Sequence, residues 1–335
     1  MELRPKEIAV IQELVQKQAR FISSHQLPSG TIPWYQGGIV DPWDHVACAM
    51  ALDLSGRFDE AAKAYMWLRD IQNPDGSYYY SYLNDQPQVI LKDTNYSSYI
   101  AAGMWCHYLA TGDLGFLSQM WPTIAKSIDF ALRLQQPTGE ICWALDANNV
   151  ACAGALIAAS SCIWYSIRSG IRIATILGLD KPDWGAASRK LARAIRGNPA
   201  LFNKFDENKD RYAMSWYYPV LTGVIKGKRA KQHILKRWAD FVVDGWGCKC
   251  VSDAPWVTVA ETCELILALI RIGEQDRARL LLDWILQLQD CESGFWTGIK
   301  LPEQIIWPKE KNTWTSAAVI MAVTAQRKPE GKDVT

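Results

Sequence analysis

The chain has 335 residues, 49% hydrophobic and 21% charged, a balance that suits a soluble globular protein with a sizeable core. Its 36 Lys and Arg against 35 Asp and Glu leave a net charge of +1, which gives no electrostatic ground for nucleic acid or an anionic membrane as a partner. No run reaches the ~18 uncharged apolar residues of a membrane span. Charges at Glu2, Arg4, Lys6 and Glu7 stand where an export signal needs an apolar core, so the expected location is the cytoplasm.

Apolar residues recur with the 3.6-residue period of helices, and no stretch shows convincing strand alternation. The first predicted helix covers about 5–24 and the second about 42–56, opened by Asp41-Pro42, a pair suited to a helix start. The third, about 58–71, closes on the Asn73-Pro-Asp-Gly76 turn. The fourth follows the capping residues Asp93-Thr94-Asn95 and ends near Gly112. The remaining eight cover about 114–135, 155–178, 183–196, 214–224, 228–243, 257–272, 275–289 and 313–327. Segments 156–165 and 314–325 carry no charge, as a helix buried all round should, whereas 59–70 and 275–289 keep one charged face. Alternation of the two types predicts an all-α fold of about twelve helices, six hairpins with six buried helices inside six amphipathic ones. That is an (α/α)6 toroid, expected as one domain over 1–328 with a frayed tail at 329–335.

A turn recurs at the ends of the amphipathic helices. It reads Gln26-Leu-Pro-Ser-Gly30 before Trp34, Gln72-Asn-Pro-Asp-Gly76 before Tyr80, and Gln135-Gln-Pro-Thr-Gly139 before Trp143. A looser copy, Gln289-Asp-Cys-Glu-Ser-Gly294-Phe-Trp296, has one extra residue. This Gln-x-x-x-Gly-aromatic turn resembles the QW-type repeat of triterpene cyclases and protein prenyltransferase β-subunits. The layout is also similar to that of six-hairpin glycosidases. The resemblance covers nearly the whole chain and concerns the fold; function has to be argued from the site.

Loops entering the buried helices share one end of such a toroid, which gathers distant residues. These segments supply Asp41, Asp44 and His45; Asp93 and Asn95; Ser160, Ser161, Trp164 and Tyr165; Arg211, Tyr212 and Trp216; Asp253, Trp256, Glu261 and Glu264; and Trp307 and Trp314. Asp41 and Asp44 are three apart, as are Glu261 and Glu264, so each pair can share a helical face. Asp41 and Asp93 also suit helix N-caps. Glu261 enters an otherwise apolar helix, where a carboxylate needs a polar pocket or a raised pKa. Arg168 and Arg211 are candidates to pair with these acids. The chain has 16 Trp and 13 Tyr, many beside the predicted loops, where aromatics plug hairpin ends or line a ligand site.

Acids, amides and flat aromatics together suit carbohydrate, whose rings offer C–H faces to Trp or Tyr and hydroxyls to Asp, Asn and Glu. Two carboxylates can then cleave a glycosidic bond, one protonating the leaving oxygen and one activating water. The expected function is glycoside hydrolysis, with Asp44, Asp93 and Glu261 as candidate catalytic acids. Candidate substrate-binding residues are Asp41, His45, Asn95, Tyr212, Trp216, Asp253, Trp256, Glu264 and Trp314. The likeness to six-hairpin glycosidases implies inversion at the anomeric carbon. Isoprenoid chemistry is the alternative, since aromatic-lined toroids also stabilise carbocations. However, Asp41-Pro-Trp-Asp44 does not match the Asp-x-Asp-Asp acid of terpenoid cyclases. Asp290-Cys291 resembles part of a prenyltransferase zinc site, yet the last His, His233, lies upstream. A non-catalytic glycan-binding toroid is a further alternative. Nine scattered cysteines read as buried thiols of a reducing compartment, and Cys248-Lys-Cys250 lacks zinc-knuckle spacing. The expectation is a small-molecule or oligosaccharide substrate with no metal and no cofactor; the oligomeric state is open.

Overall fold

The structure, a computed structural model, describes residues 5–326; the predicted tail at 329–335 lies outside them. In chain order the α-helices are α1 (Pro5–His25), α2 (Pro42–Leu54), α3 (Phe58–Ile71), α4 (Thr94–Ser98), α5 (Ile100–Thr111), α6 (Leu114–Arg133) and α7 (Ile157–Ile176). They continue as α8 (Pro182–Gly197), α9 (Ala213–Leu221), α10 (Gly227–Lys236), α11 (Trp238–Phe241), α12 (Val259–Arg271), α13 (Gln275–Ile285) and α14 (Thr313–Gln326). Helices α2, α4–α5, α7, α9, α12 and α14 pack side by side, and α14 returns to α2, closing an inner ring. Around it α1, α3, α6, α8, α10 and α13 each lie against inner neighbours. The fold is the (α/α)6 toroid read from the sequence.

The recurring turn explains how the outer ring is spaced. Gln72 donates from Nε2 to the Gly76 carbonyl of its own turn and to the Thr123 carbonyl on the next outer helix, α6, at 3.2 and 2.9 Å. Gln26 repeats this with Gly30 and Glu60 on α3 at 3.0 and 2.9 Å. Gln135 does so with Gly139 and Ala187 on α8, at 3.0 and 3.0 Å. One side chain thus closes its turn and staples two outer helices. The glycine is needed for a second reason. At Gly76, φ is +89° and a Cβ would sit 2.2 Å from the Lys126 carbonyl oxygen; at Gly30, φ is +98° and the Lys63 oxygen would be 2.3 Å away. Only a residue without a Cβ lets the turn rest on the neighbouring backbone. The looser copy rests Gly294 against the Phe21 ring of α1, while Lys17 of α1 donates to the Asp290 and Cys291 carbonyls at 3.4 and 3.2 Å. The ring therefore closes through side chains at this seam.

Three sequence readings are corrected. Short antiparallel pairs are present, including the hairpin of Ser81–Leu83 with Gln86–Val89. Asn84 and Asp85 turn it with φ of 50° and 62°, the two-residue left-handed turn that matches strand twist. The predicted helix over 228–243 stops at Lys236; α11 follows, and Val242–Val243 then pairs with Gly247–Cys248. The fourth predicted helix is in two pieces, α4 and α5, joined at Tyr99.

Candidate active site

Two helix starts bring acids to one end of the barrel. Asp41 caps α2: its Oδ1 accepts the Trp43 and Asp44 backbone N–H groups at 2.9 and 2.9 Å, and its Oδ2 accepts Trp34 Nε1 at 2.7 Å. Pro42, with its preset φ, takes the first helical position. Asp44 then projects from the first turn. On the far side of α14, Thr258 precedes α12, which places Glu261 in its first turn and Glu264 one turn later on the same face. Tyr217 and Tyr218 of α9 donate their hydroxyls to the two Glu264 oxygens.

Asp41, Asp44, Glu261 and Glu264 all line one pocket of about 200 Å³. Trp34, Trp43, Tyr96, Tyr99, Tyr165, Tyr218 and Trp314 provide its aromatic walls. Trp43 is braced by Tyr96, Tyr99 and Tyr218, whose ring centroids are 5.9, 6.1 and 5.6 Å away. Further along the inner helices the lining becomes apolar, with Met50, Leu221, Leu267 and Met321.

Burial pushes the Asp44 carboxyl well above the usual range, and the nearby Asp41, Glu264 and Glu261 carboxylates push it the same way. Burial raises Asp41 as well, but the N–H donors at its two oxygens favour its ionised form. Asp41 and Asp44 are hydrogen-bonded to each other. Asp44, the partner with fewer donors, is therefore the one pushed further toward its protonated form. Glu264 is raised to about 8 by burial, against the pull of its two tyrosines. Burial pushes the Cys250 thiol up, and the neighbouring Glu261 carboxylate pushes it the same way. One end of the pocket thus holds a protonated carboxyl and further acids in a low-dielectric wall, groups that can move protons to and from a bound substrate.

The pocket brings together Asp41, Asp44, Tyr165, Glu261, Glu264 and Trp314 of the residues gathered from the sequence; the other candidate residues lie elsewhere. Asp93 caps α4, accepting the Tyr96 N–H at 2.9 Å, and burial raises it to about 7. It lies behind the pocket wall, near enough for Asp41 to add to that rise. His45 accepts the Ile32 N–H at Nδ1 and donates from Nε2 to the Ala64 carbonyl. Both ring nitrogens are thereby committed to backbone, and burial lowers its pKa to about 4. Asn95 is buried outside the pocket lining, with neither amide atom hydrogen-bonded. Tyr212 donates to Glu207 and Asp253 pairs with Arg211, so Arg211 does not reach the pocket acids. Trp216 is in the core, stacked on Phe241 at 5.0 Å. Trp256 donates to the Trp307 carbonyl and meets that ring edge-on at 4.7 Å. Ser160 and Ser161 are buried in α7, and Arg168 and Trp164 face a different cavity. Asp290 accepts the Glu292 and Ser293 N–H groups in a surface turn. Among the described residues no three His, Cys, Asp or Glu side chains gather as metal ligands.

Tyr96, Met214 and Tyr218 belong to the segments entering the buried helices, whereas Tyr99 and the other methionines carry no such sign in the sequence. Trp34 was legible as the aromatic of the first turn repeat. Met50 and Met321 sit inside buried helices and carry no polar or loop signature.

A toroid presenting acids within aromatic walls at the starts of its inner helices has the construction of a glycoside hydrolase. Comparison with known proteins supports that class. No protein-family model matches the chain. An MMP endo-(1,4)-3-O-methyl-alpha-D-mannosidase of Mycolicibacterium hassiacum is 42% identical over 313 residues, covering 93% of this chain and 86% of that protein. This chain belongs to the family of that mannosidase, and it is a glycoside hydrolase. An uncharacterized glycosyl hydrolase of Methanocaldococcus jannaschii is 34% identical over 87 residues, 26% of this chain and 14% of that protein. Among solved structures, a glycosidase in complex with glucose superposes with a TM-score of 0.73 at 16% identity, covering 97% of this chain and 99% of that one. A D-mannose isomerase superposes with a TM-score of 0.74 at 10% identity, over 97% and 99%. At such identities these two share the fold alone. The isoprenoid and binding-only readings are not favoured by the mannosidase relationship.

Proposed function

We propose that this hydrolase cleaves α-(1,4) bonds within chains of 3-O-methylmannose, with Asp44 as general acid and Glu261 as general base. The observation that carries the reading is the two-ended pocket, acidic at the helix starts and lined by Met50, Leu221, Leu267 and Met321 further along the helices. A bare sugar hydroxyl set against thioether and alkyl groups would lose its hydrogen bonds. An O-methyl group needs no donor partner, and its burial contributes about 0.8 kcal/mol, roughly fourfold in affinity for each methyl. The mannosidase relative, whose name specifies such a substrate, supports the same choice.

The retained proton of Asp44 is available to the leaving glycosidic oxygen. Glu261, on α12, takes a proton from the attacking water. Asp41 holds the charge that keeps Asp44 protonated, and Trp43 and Trp314 offer faces to the sugar rings. We infer inversion of the anomeric centre from the likeness to six-hairpin glycosidases. We also infer a single-domain enzyme of the cytoplasm, on the support of nine free thiols. The test is hydrolysis of 3-O-methylated against unmethylated α-(1,4)-manno-oligosaccharides, with the first product followed by proton NMR. The expected result is a preference of at least tenfold in kcat/KM for the methylated chain and a β-anomer released first. Equal rates on the two substrates overturn the methyl-binding role; an α-anomer first overturns inversion.

A further inference from the structure

Beyond the shared wall of Tyr165 and Thr222, a second cavity of about 510 Å³ opens where α7 and α8 face the C-terminal ends of α9 and α12. Helix α8 lines it with Arg189, Arg193 and Arg196, and α7 with Arg168 and Arg172. Lys226 and Arg271 complete the rim, and no Asp or Glu is among the lining residues. The chain as a whole carries only +1, so this concentration of cations is local.

Like charges at i and i+4 on a helix are destabilising. That cost is met on two facing helices, at Arg168 with Arg172 and at Arg189 with Arg193. Two contacts fix parts of the wall: Arg196 donates from Nε to the Val224 carbonyl at 2.7 Å, and Arg172 lies over the Trp105 ring at 5.6 Å. Buried Ser188 adds a hydroxyl to the same wall. Guanidinium groups bind phosphate through paired N–H donors, and the volume is that of a small-molecule pocket. Tyr165 and Thr222 stand between this cavity and the carboxylates, so an anion here avoids the repulsion it would meet in the first pocket.

We propose that the cavity binds the phosphate group of a small phosphorylated molecule, at a site separate from the glycosidase pocket. The chemistry is shared by free phosphate and by a sugar phosphate, and the test separates them. Tm is measured in titrations of inorganic phosphate, glucose 6-phosphate and glucose, with ionic strength held constant by NaCl. At a hundredfold excess over Kd, occupancy raises Tm by roughly 5 °C. A saturating rise with phosphate, equal to that with glucose 6-phosphate, assigns a phosphate-ion site; a tighter response to glucose 6-phosphate assigns a sugar-phosphate site. The Arg189→Glu/Arg193→Glu variant, at exposed positions, loses the rise. Should that variant not fold, Arg168→Gln, also exposed, weakens the response at least threefold. A Tm that follows ionic strength alone, or a folded variant that responds like the wild type, overturns the proposal.

Discussion

Replacing Glu264 with Gln is expected to stabilise the protein at neutral pH, although the residue lines the active-site pocket. Burial raises this carboxyl from an ordinary 4.5 to about 8, so the folded protein holds its proton where the unfolded chain has released it. Between those values the native state binds one proton more than the unfolded state, and stability falls as pH rises. The slope is about 1.36 kcal/mol per pH unit. From 4.5 to 7, a span of 2.5 units, the loss is about 3 kcal/mol, and it is complete above about pH 8. Gln keeps a hydrogen-bonding amide between Tyr217 and Tyr218 and cannot ionise, so this loss disappears. Asp93, raised to about 7, contributes a slope of the same sign in both proteins and cancels in the comparison. The assay is Tm against pH from 4.5 to 8.5. The variant's advantage should grow by roughly 5 °C across that range. Two curves running parallel throughout would show that Glu264 is not protonated in the folded protein, and the electrostatic account of the pocket would fail.

Two further predictions address the scaffold. Gly76→Ala should cost about 3 kcal/mol or more, read by urea denaturation, because φ is +89° and the new Cβ meets the Lys126 carbonyl at 2.2 Å; a loss below about 1 kcal/mol would mean the turn yields easily. Gln72→Ala should cost about 1–3 kcal/mol by removing donors to the Gly76 and Thr123 carbonyls. An unchanged midpoint would deny the staple.

The repeat and the period of the apolar residues made the toroid legible, because four of the six outer helices end in the Gln-and-Gly turn or its looser copy and several inner helices are poor in charge. The acid pairs were legible for a local reason. Asp41 with Asp44 and Glu261 with Glu264 lie at helix starts, three residues apart, so their common face follows from helix geometry. Aromatics at the same starts were harder. On α9, Trp216, Tyr217 and Tyr218 are consecutive and point in different directions; stacking of Trp216 on Phe241 turns that residue into the core and Tyr218 toward the pocket. His45 follows an acid at a helix start, yet its ring is held between the Ile32 and Ala64 backbones. Such tertiary contacts, like those that aim Met50 and Met321 into the pocket, leave no period or motif in the sequence.

The central claim is that Asp44 and Glu261, on the two inner helices that flank α14, carry the hydrolysis. The most direct measurement is the rate at which folded Asp44→Asn and Glu261→Gln proteins cleave the methylated oligosaccharide, with Tm confirming the fold of each. Removing a general acid or base should lower kcat by about 10²–10⁴ in each variant. A folded variant of either kind that keeps more than about a tenth of the wild-type rate, well outside that range, would contradict the assignment.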